Sequence, residues 1–202
     1  MISQKTKDKQ KLRARREKAL AKQIRALPKK KYCVIYADPE WRFEPRSRIT
    51  GMDRAADNHY ATSSLDIIKS RNVLSIAARH CVLFLWATVP MLTQALEVMK
   101  AWGFKYKSHW VWLKDKIGTG YWNRNTHELL LVGTRGSIPA PAPGTQWASV
   151  ITSPRGRHSE KPSVFYDMIE AYYPTLPKIE LNARKVRVNW DRWGAEAPRS
   201  RR

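Results

Sequence analysis

Tyr32-Cys33-Val34-Ile35-Tyr36-Ala37-Asp38-Pro39-Glu40-Trp41 is the stretch whose reading decides the fold. Its first six residues form a short apolar run rich in β-branched and aromatic side chains, which reads as a buried strand. The last four deliver an acid, a rigid turn and an aromatic together at that strand's C-terminal edge. In an open α/β sheet this edge is where ligands bind, because loops from several strands converge there while helices cover the faces.

Outward from this strand the chain alternates. A polar loop over 42–64 leads to a helical segment near 65–72 and a strand over 80–87. The segment 90–102 carries Leu92, Ala95, Leu96 and Met99 at helical spacing and stops before Gly103. Strands are expected over 105–113 and 128–134, with a polar, aromatic and glycine-containing segment, 114–127, between them. An ordered but irregular loop over 135–147 follows, then a short strand at Val150-Ile151, a helix over 162–173 and a final strand over 178–181. Such alternation makes a doubly wound α/β sheet. The absence of G-x-G-x-x-G after the first strand disfavours a nicotinamide enzyme.

Composition bounds the answer separately. A chain of 202 residues with 43% hydrophobic content buries one ordinary core, so a single domain with a tail is expected. No stretch approaches a membrane span and the N-terminus lacks the apolar centre of a signal peptide, so a cytoplasmic protein without membrane contact is expected. Cys33 and Cys81 lie inside apparent core strands without a partner at metal-ligand spacing and read as reduced structural thiols. The five histidines are scattered, and no metal site is expected. The nine tryptophans fit an aromatic homodimer interface as readily as a full core.

Formal net charge is +21, and its distribution matters more than its size. Residues 1–31 hold thirteen Lys or Arg against Asp8 and Glu17, about half of the excess. Leu12, Ala19, Leu20, Ile24 and Leu27 give this leader a thin apolar stripe, so it reads as a basic helix that forms against a polyanion or the domain. Phosphate attraction is the functional reading, and a solvated tail the bland one. The chain divides accordingly into a basic helical leader (1–31), one domain (32–196) and a basic tail (197–202).

The residue types after the first strand suit one chemistry. An exocyclic adenine amine is a poor nucleophile because its lone pair is delocalised into the ring, and two acceptors on its hydrogens localise that pair. Asp38 offers a carboxylate, Pro39 a carbonyl on a backbone of fixed φ, and Trp41 a face on which a base stacks. The alternative is a capping Asp and a turn Pro beside a core Trp.

Further motifs follow in order: Asn58-His59-Tyr60-Ala61-Thr62, Leu83-Phe84-Leu85-Trp86-Ala87-Thr88, Gly118-Thr119-Gly120-Tyr121-Trp122, Arg124-Asn125-Thr126-His127-Glu128, His158-Ser159-Glu160-Lys161-Pro162, Lys178-Ile179-Glu180-Leu181-Asn182-Ala183-Arg184 and Trp190-Asp191-Arg192-Trp193-Gly194. With Asp38-Pro39-Glu40-Trp41 at their head, they make the chain resemble the DPPW-type N6-adenine methyltransferases, the family of the messenger-RNA adenosine methyltransferases and their bacterial and phage relatives. The likeness runs from about Tyr32 to about Glu196.

The resemblance implies a permuted Rossmann-like methyltransferase fold, S-adenosyl-L-methionine as cofactor, and direct methyl transfer to adenine in nucleic acid, DNA ahead of RNA. It implies Asp38, Pro39 and Trp41 as catalytic residues, and Asp38, Lys161, Glu180, Asn182, Arg184 and Asn125 on the cofactor. Tyr60, Arg42, Trp122, Arg124 and His127 fall to the substrate, with Arg46 and Arg48 near an extruded base. For Lys161 the alternative is an exposed lysine, and for Arg124, Asn125 and His127 it is loop scaffolding. Two positions depart from the family pattern: Glu40 stands at the usual proline, adding negative charge near the nucleic acid, and Ala195 stands where asparagine is frequent. A catalytically silent nucleic-acid-binding homologue is the reading from a different class, and a basic ribosome-associated protein explains the charge but not the motifs.

Overall fold

The computed structural model describes residues 27–41, 63–118, 120, 122–156 and 160–198. Seven strands form a single mixed sheet: β1 Tyr32–Ala37, β2 Ala77–Thr88, β3 Lys105–Leu113, β4 His127–Arg135, β5 Val150–Thr152, β6 Lys178–Leu181 and β7 Trp190–Trp193. Their order across the sheet is β5-β3-β4-β2-β1-β6-β7. β1 pairs in parallel with β2 and β6, β7 continues parallel to β6, and β3 is parallel to β5. β4 runs antiparallel to β2 and β3. Its first residues therefore arrive at the edge where the parallel strands end.

The helices are α1 Leu65–Ser70, α2 Leu92–Ala101 and α3 Ser163–Tyr172. Successive residues of β1 and β2 point to opposite faces, and each face has its own core. Ile35, Ala37, Leu83 and Leu85 pack with Ile68 of α1 and Ala95, Val98 and Met99 of α2. Val34, Tyr36, Phe84 and Trp86 pack with Phe165, Met168 and Ile169 of α3. Helices thus cover both faces, which explains why the central strands are near-continuous apolar runs. Gly133 of β4 lets α2 lie close, since a Cβ there would stand 2.7 Å from Met99 Sδ.

The elements expected from the sequence are present, with shifted ends. β2 begins at Ala77 rather than at 80, and α1 stops at Ser70, followed by a separate 3-10 turn Val73–Ser75 whose Asn72 side chain accepts from the Ser75 N–H at 3.2 Å. The loop over 135–147 is irregular apart from the β4 end at Arg135. β6 is not the last strand: Trp190–Trp193 adds β7 at the sheet edge. Two central charges hide it from a hydrophobic pattern, although Trp190 and Trp193 are buried in opposite cores.

Residues 1–26 of the basic leader and 199–202 of the tail lie outside the described residues. Leu27, just after them, packs against the α1–α2 core. Cys33 and Cys81 are free thiols. No helix among the described residues is long and apolar enough to cross a membrane. No group of three or more His, Cys, Asp or Glu among them is arranged to hold a metal ion.

Candidate active site

Asp38 leaves the end of β1 with its N–H directed at Leu181 O of β6, 3.4 Å away. Pro162 caps the start of α3, and Lys161 before it reaches back over the sheet edge. Lys161 Nζ lies 2.9 Å from Asp38 Oδ2 and 3.3 Å from Glu128 Oε2. Glu128, near the start of β4, stands opposite Thr88 of β2 and Trp112 of β3. Its Oε1 accepts from Lys114 Nζ at 2.6 Å. The charges therefore alternate in one row, Lys114, Glu128, Lys161, Asp38, with the Lys161 side chain 8% exposed. Lys161 Nζ also stands 5.3 Å from the ring centre of Trp86, a favourable place for a desolvated cation.

Burial pushes the Asp38 carboxyl up and leaves it above its ordinary value, against the pull of Lys161. Burial acts on Glu128 in the same sense, but Lys161 and Lys114 outweigh it and hold that carboxyl low. For Lys161 burial favours the neutral amine, and its two carboxylate partners reverse this, so it is held above its ordinary value. An ammonium shared by two acids is thus a fixed charge at neutral pH.

Glu180 of β6 is 7% exposed and pairs in register with Tyr36 of β1. Tyr166 of α3 donates its hydroxyl to Glu180 Oε1 at 2.7 Å. Burial pushes the Glu180 carboxyl up to about 7, with the Tyr166 hydrogen bond pulling the other way. Tyr36 packs against Tyr166, and Trp86 lies beneath Lys161. The Tyr36 hydroxyl and Trp86 Nε1 have no hydrogen-bond partner among the described residues. Buried polar atoms of this kind call for a ligand or water to complete them.

The motif turn is tight. Pro39 O accepts the Trp41 N–H at 2.8 Å, and Trp41 Nε1 donates to Trp86 O at 3.0 Å. Trp41 is 6% exposed and belongs to the α1–α2 core, so most of its ring is spent on packing. Asn182 follows β6 in the left-handed region, φ 62°, and its Nδ2 donates to Asp38 O at 3.0 Å and to Glu40 Oε2 at 2.6 Å. Arg184 Nε pairs with Glu196 Oε2 at 3.1 Å, and its charge reaches both Asp38 and Glu180.

Asp38, Lys161, Glu180, Asn182 and Arg184 are thus brought together. Trp122 is 95% exposed, and no described contact joins it to this cluster. Arg124 Nε donates to Gly118 O at 2.7 Å, the Gly118 N–H to Asn125 O at 2.8 Å, and His127 pairs with Leu113 across β3 and β4. These contacts scaffold the loop between β3 and β4. Arg42, Arg46, Arg48 and Tyr60 lie outside the described residues. Sequence reasoning missed Glu128, Lys114 and Tyr166. Glu128 and Lys114 flank one loop, and the antiparallel sense of β4 that carries Glu128 to the site has no signature in hydrophobic period. Tyr166 lies inside the helix expected over 162–173, where no motif singles it out.

A family model, MT-A70, matches residues 32–196. The chain is similar to the Type II methyltransferase M.MunI of Mycoplasma sp, at 37% identity over 187 residues that make up 85% of this chain and 80% of that protein. It is similar to the putative N(6)-adenosine-methyltransferase MT-A70-like protein of Medicago truncatula, 31% identical over 162 residues, 76% of this chain and 24% of the relative. The N(6)-adenosine-methyltransferase catalytic subunit METTL3 of Homo sapiens is 28% identical over 170 residues, 79% of this chain and 27% of its own length. The chain therefore spans about a quarter of each of these two longer proteins.

Proposed function

Because this chain belongs to the MT-A70 family, whose methyltransferases use S-adenosylmethionine, we propose that the Asp38 site methylates the exocyclic N6 amine of adenine in nucleic acid, DNA ahead of RNA. The observation that carries this reading is the Lys161 bridge, which holds a nearly buried Asp38 carboxylate at the sheet edge, 2.9 Å from a fixed cation. Adenine methylation is in the names of the longer relatives. DNA is placed first because the match that covers most of both chains is a type II methyltransferase, whereas the adenosine methyltransferases are covered only in part.

The residues present fit the donor. Glu180 is a buried acid whose oxygens suit a diol, and Tyr36, in register beside it, has a buried hydroxyl. When bound, S-adenosylmethionine supplies an electrophilic methyl on a sulfonium centre. Asp38 accepts one amino hydrogen of adenine, which localises the nitrogen lone pair, and it opposes the positive charge that develops on nitrogen. Pro39 O, already accepting the Trp41 N–H, has a second lone pair for the other amino hydrogen. The extra proton leaves the nitrogen after transfer. Lys161 keeps Asp38 in place rather than meeting the donor, since its charge is shared by two carboxylates. Alignment of amine and methyl provides much of the acceleration.

In this reading β1 with its motif precedes β6 with the cofactor acid, the permuted order of the methyltransferase fold. The base is flipped out of a duplex or taken from a single strand, and the basic leader and tail hold phosphates. The test is single-turnover transfer of labelled methyl to unmethylated duplex DNA, single-stranded DNA and RNA of one sequence. Fastest transfer to a DNA form supports the proposal, fastest transfer to RNA reverses the choice of polymer, and tight binding without transfer identifies a silent homologue.

A further inference from the structure

Glu40 is placed as no exposed charge would be. Its side chain is 18% exposed, and three donors from three separate segments converge on its carboxylate. Arg71, the C-cap of α1, directs Nη1 at Oε2 over 3.0 Å and Nη2 at Oε1. Ser63 Oγ donates to Oε1 at 2.6 Å, and Asn182 Nδ2 to Oε2 at 2.6 Å. The negative charge expected to face nucleic acid is instead neutralised inside the protein. Burial pulls the Arg71 guanidinium down only to about 10, so it remains a cation at neutral pH.

The geometry couples this carboxylate to Asp38. One Asn182 amide nitrogen holds both Glu40 Oε2 and the Asp38 carbonyl, the latter at 3.0 Å. Asn182 is itself fixed, because a Cβ on Gly194 would fall 2.7 Å from its Cα, so the two turns touch backbone to backbone. Arg71 lies 5.6 Å from the ring centre of Trp193 in β7. On the other side the Ser63 N–H donates to Glu40 O at 2.9 Å and Trp41 bridges to Ser63, so the two ends of the 42–62 segment are joined at Glu40.

We propose that Glu40 is a positioning residue for the transfer reaction: through Asn182 it fixes the backbone of Asp38, and through Ser63 it ties the motif to the start of α1. This rests on the methyltransferase reading above. A misplacement near 1 Å at the reacting groups costs up to about 10²-fold in rate, so Glu40→Ala is expected to lower single-turnover transfer between about tenfold and 10²-fold. Donor affinity by calorimetry should stay within about threefold of wild type, well short of that rate loss. Glu40→Gln, which keeps one acceptor, should recover part of the rate. Glu40→Ala combined with Asn182→Ala should be no slower than the slower single variant, because both break one linkage. A lowered melting temperature with unchanged transfer, a loss of donor affinity equal to the loss of rate, or multiplicative effects in the double variant would each overturn the proposal. Independently of activity, Glu40→Ala should speed amide hydrogen exchange at residues 38, 40, 41, 63 and 182. Unchanged exchange there sinks the latch, whereas absence of transfer by the wild type sinks the methyltransferase reading alone.

Discussion

Lys161 stands between two acids that burial would otherwise drive toward their neutral forms, so removing its charge strips Asp38 of its paired cation and leaves Glu128 with Lys114 alone. Lys161→Met is expected to lower stability by about 3–5 kcal/mol, read by denaturant unfolding at pH 7. A loss under about 1 kcal/mol would class the bridge with ordinary exposed ion pairs. Glu180 gives a pH signature. Its folded-state value of about 7 lies above the ordinary 4.5, so its carboxylate forms only as pH rises through about 7. Donor affinity should therefore rise across that interval and level off above it, while Glu180→Gln binds with a flat profile. The sign for folding is opposite: this group's contribution to stability is full below its unfolded value and is lost as pH rises through about 7. Asp38, Lys161 and Glu180 were legible because each sits in a motif at a strand edge or helix start. Glu128 was not, because its place depends on strand direction, which side-chain alternation does not encode.

β1 and the core of β2 were legible as elements for a simple reason: helices cover both faces, so nearly every residue is apolar and buried. β7 was not, since a four-residue edge strand with two charges carries no run to detect. Its position nevertheless sets the Asn182 turn. Gly194 has φ 140°, and a side chain there would meet the Asn182 backbone. Gly194→Ala is expected to destabilise the fold by more than about 1 kcal/mol, seen as a lower melting temperature. An unchanged melting temperature would mean that the β6–β7 turn is not fixed by this contact. α3 was legible as a helix over 162–173, while the use of Tyr166 as donor to Glu180 needed the fold.

For the whole molecule, a net charge of +21 means that the proposed binding to nucleic acid is dominated by counterion release. The logarithm of the binding constant should fall linearly with the logarithm of salt concentration. In the full chain, replacing Arg13, Arg15 and Arg16 of the leader with Gln should make that slope shallower by up to about 2.7, or about 0.9 per lost phosphate contact. An unchanged slope would remove the leader from the phosphate interface. Polymer and recognition sequence were not legible, because the segments 42–64 and 135–147, where base-reading side chains are expected, follow no hydrophobic period. Whether Asp38 directs a methyl group to adenine N6 is decided by the identity of the modified nucleoside. Nucleic acid treated with labelled S-adenosylmethionine and either the wild type or Asp38→Ala would be digested to nucleosides and resolved. Label should appear in N6-methyladenine with the wild type and fall by at least about 10²-fold with the variant. Label in another nucleoside, or an Asp38→Ala protein as active as the wild type, would contradict that assignment.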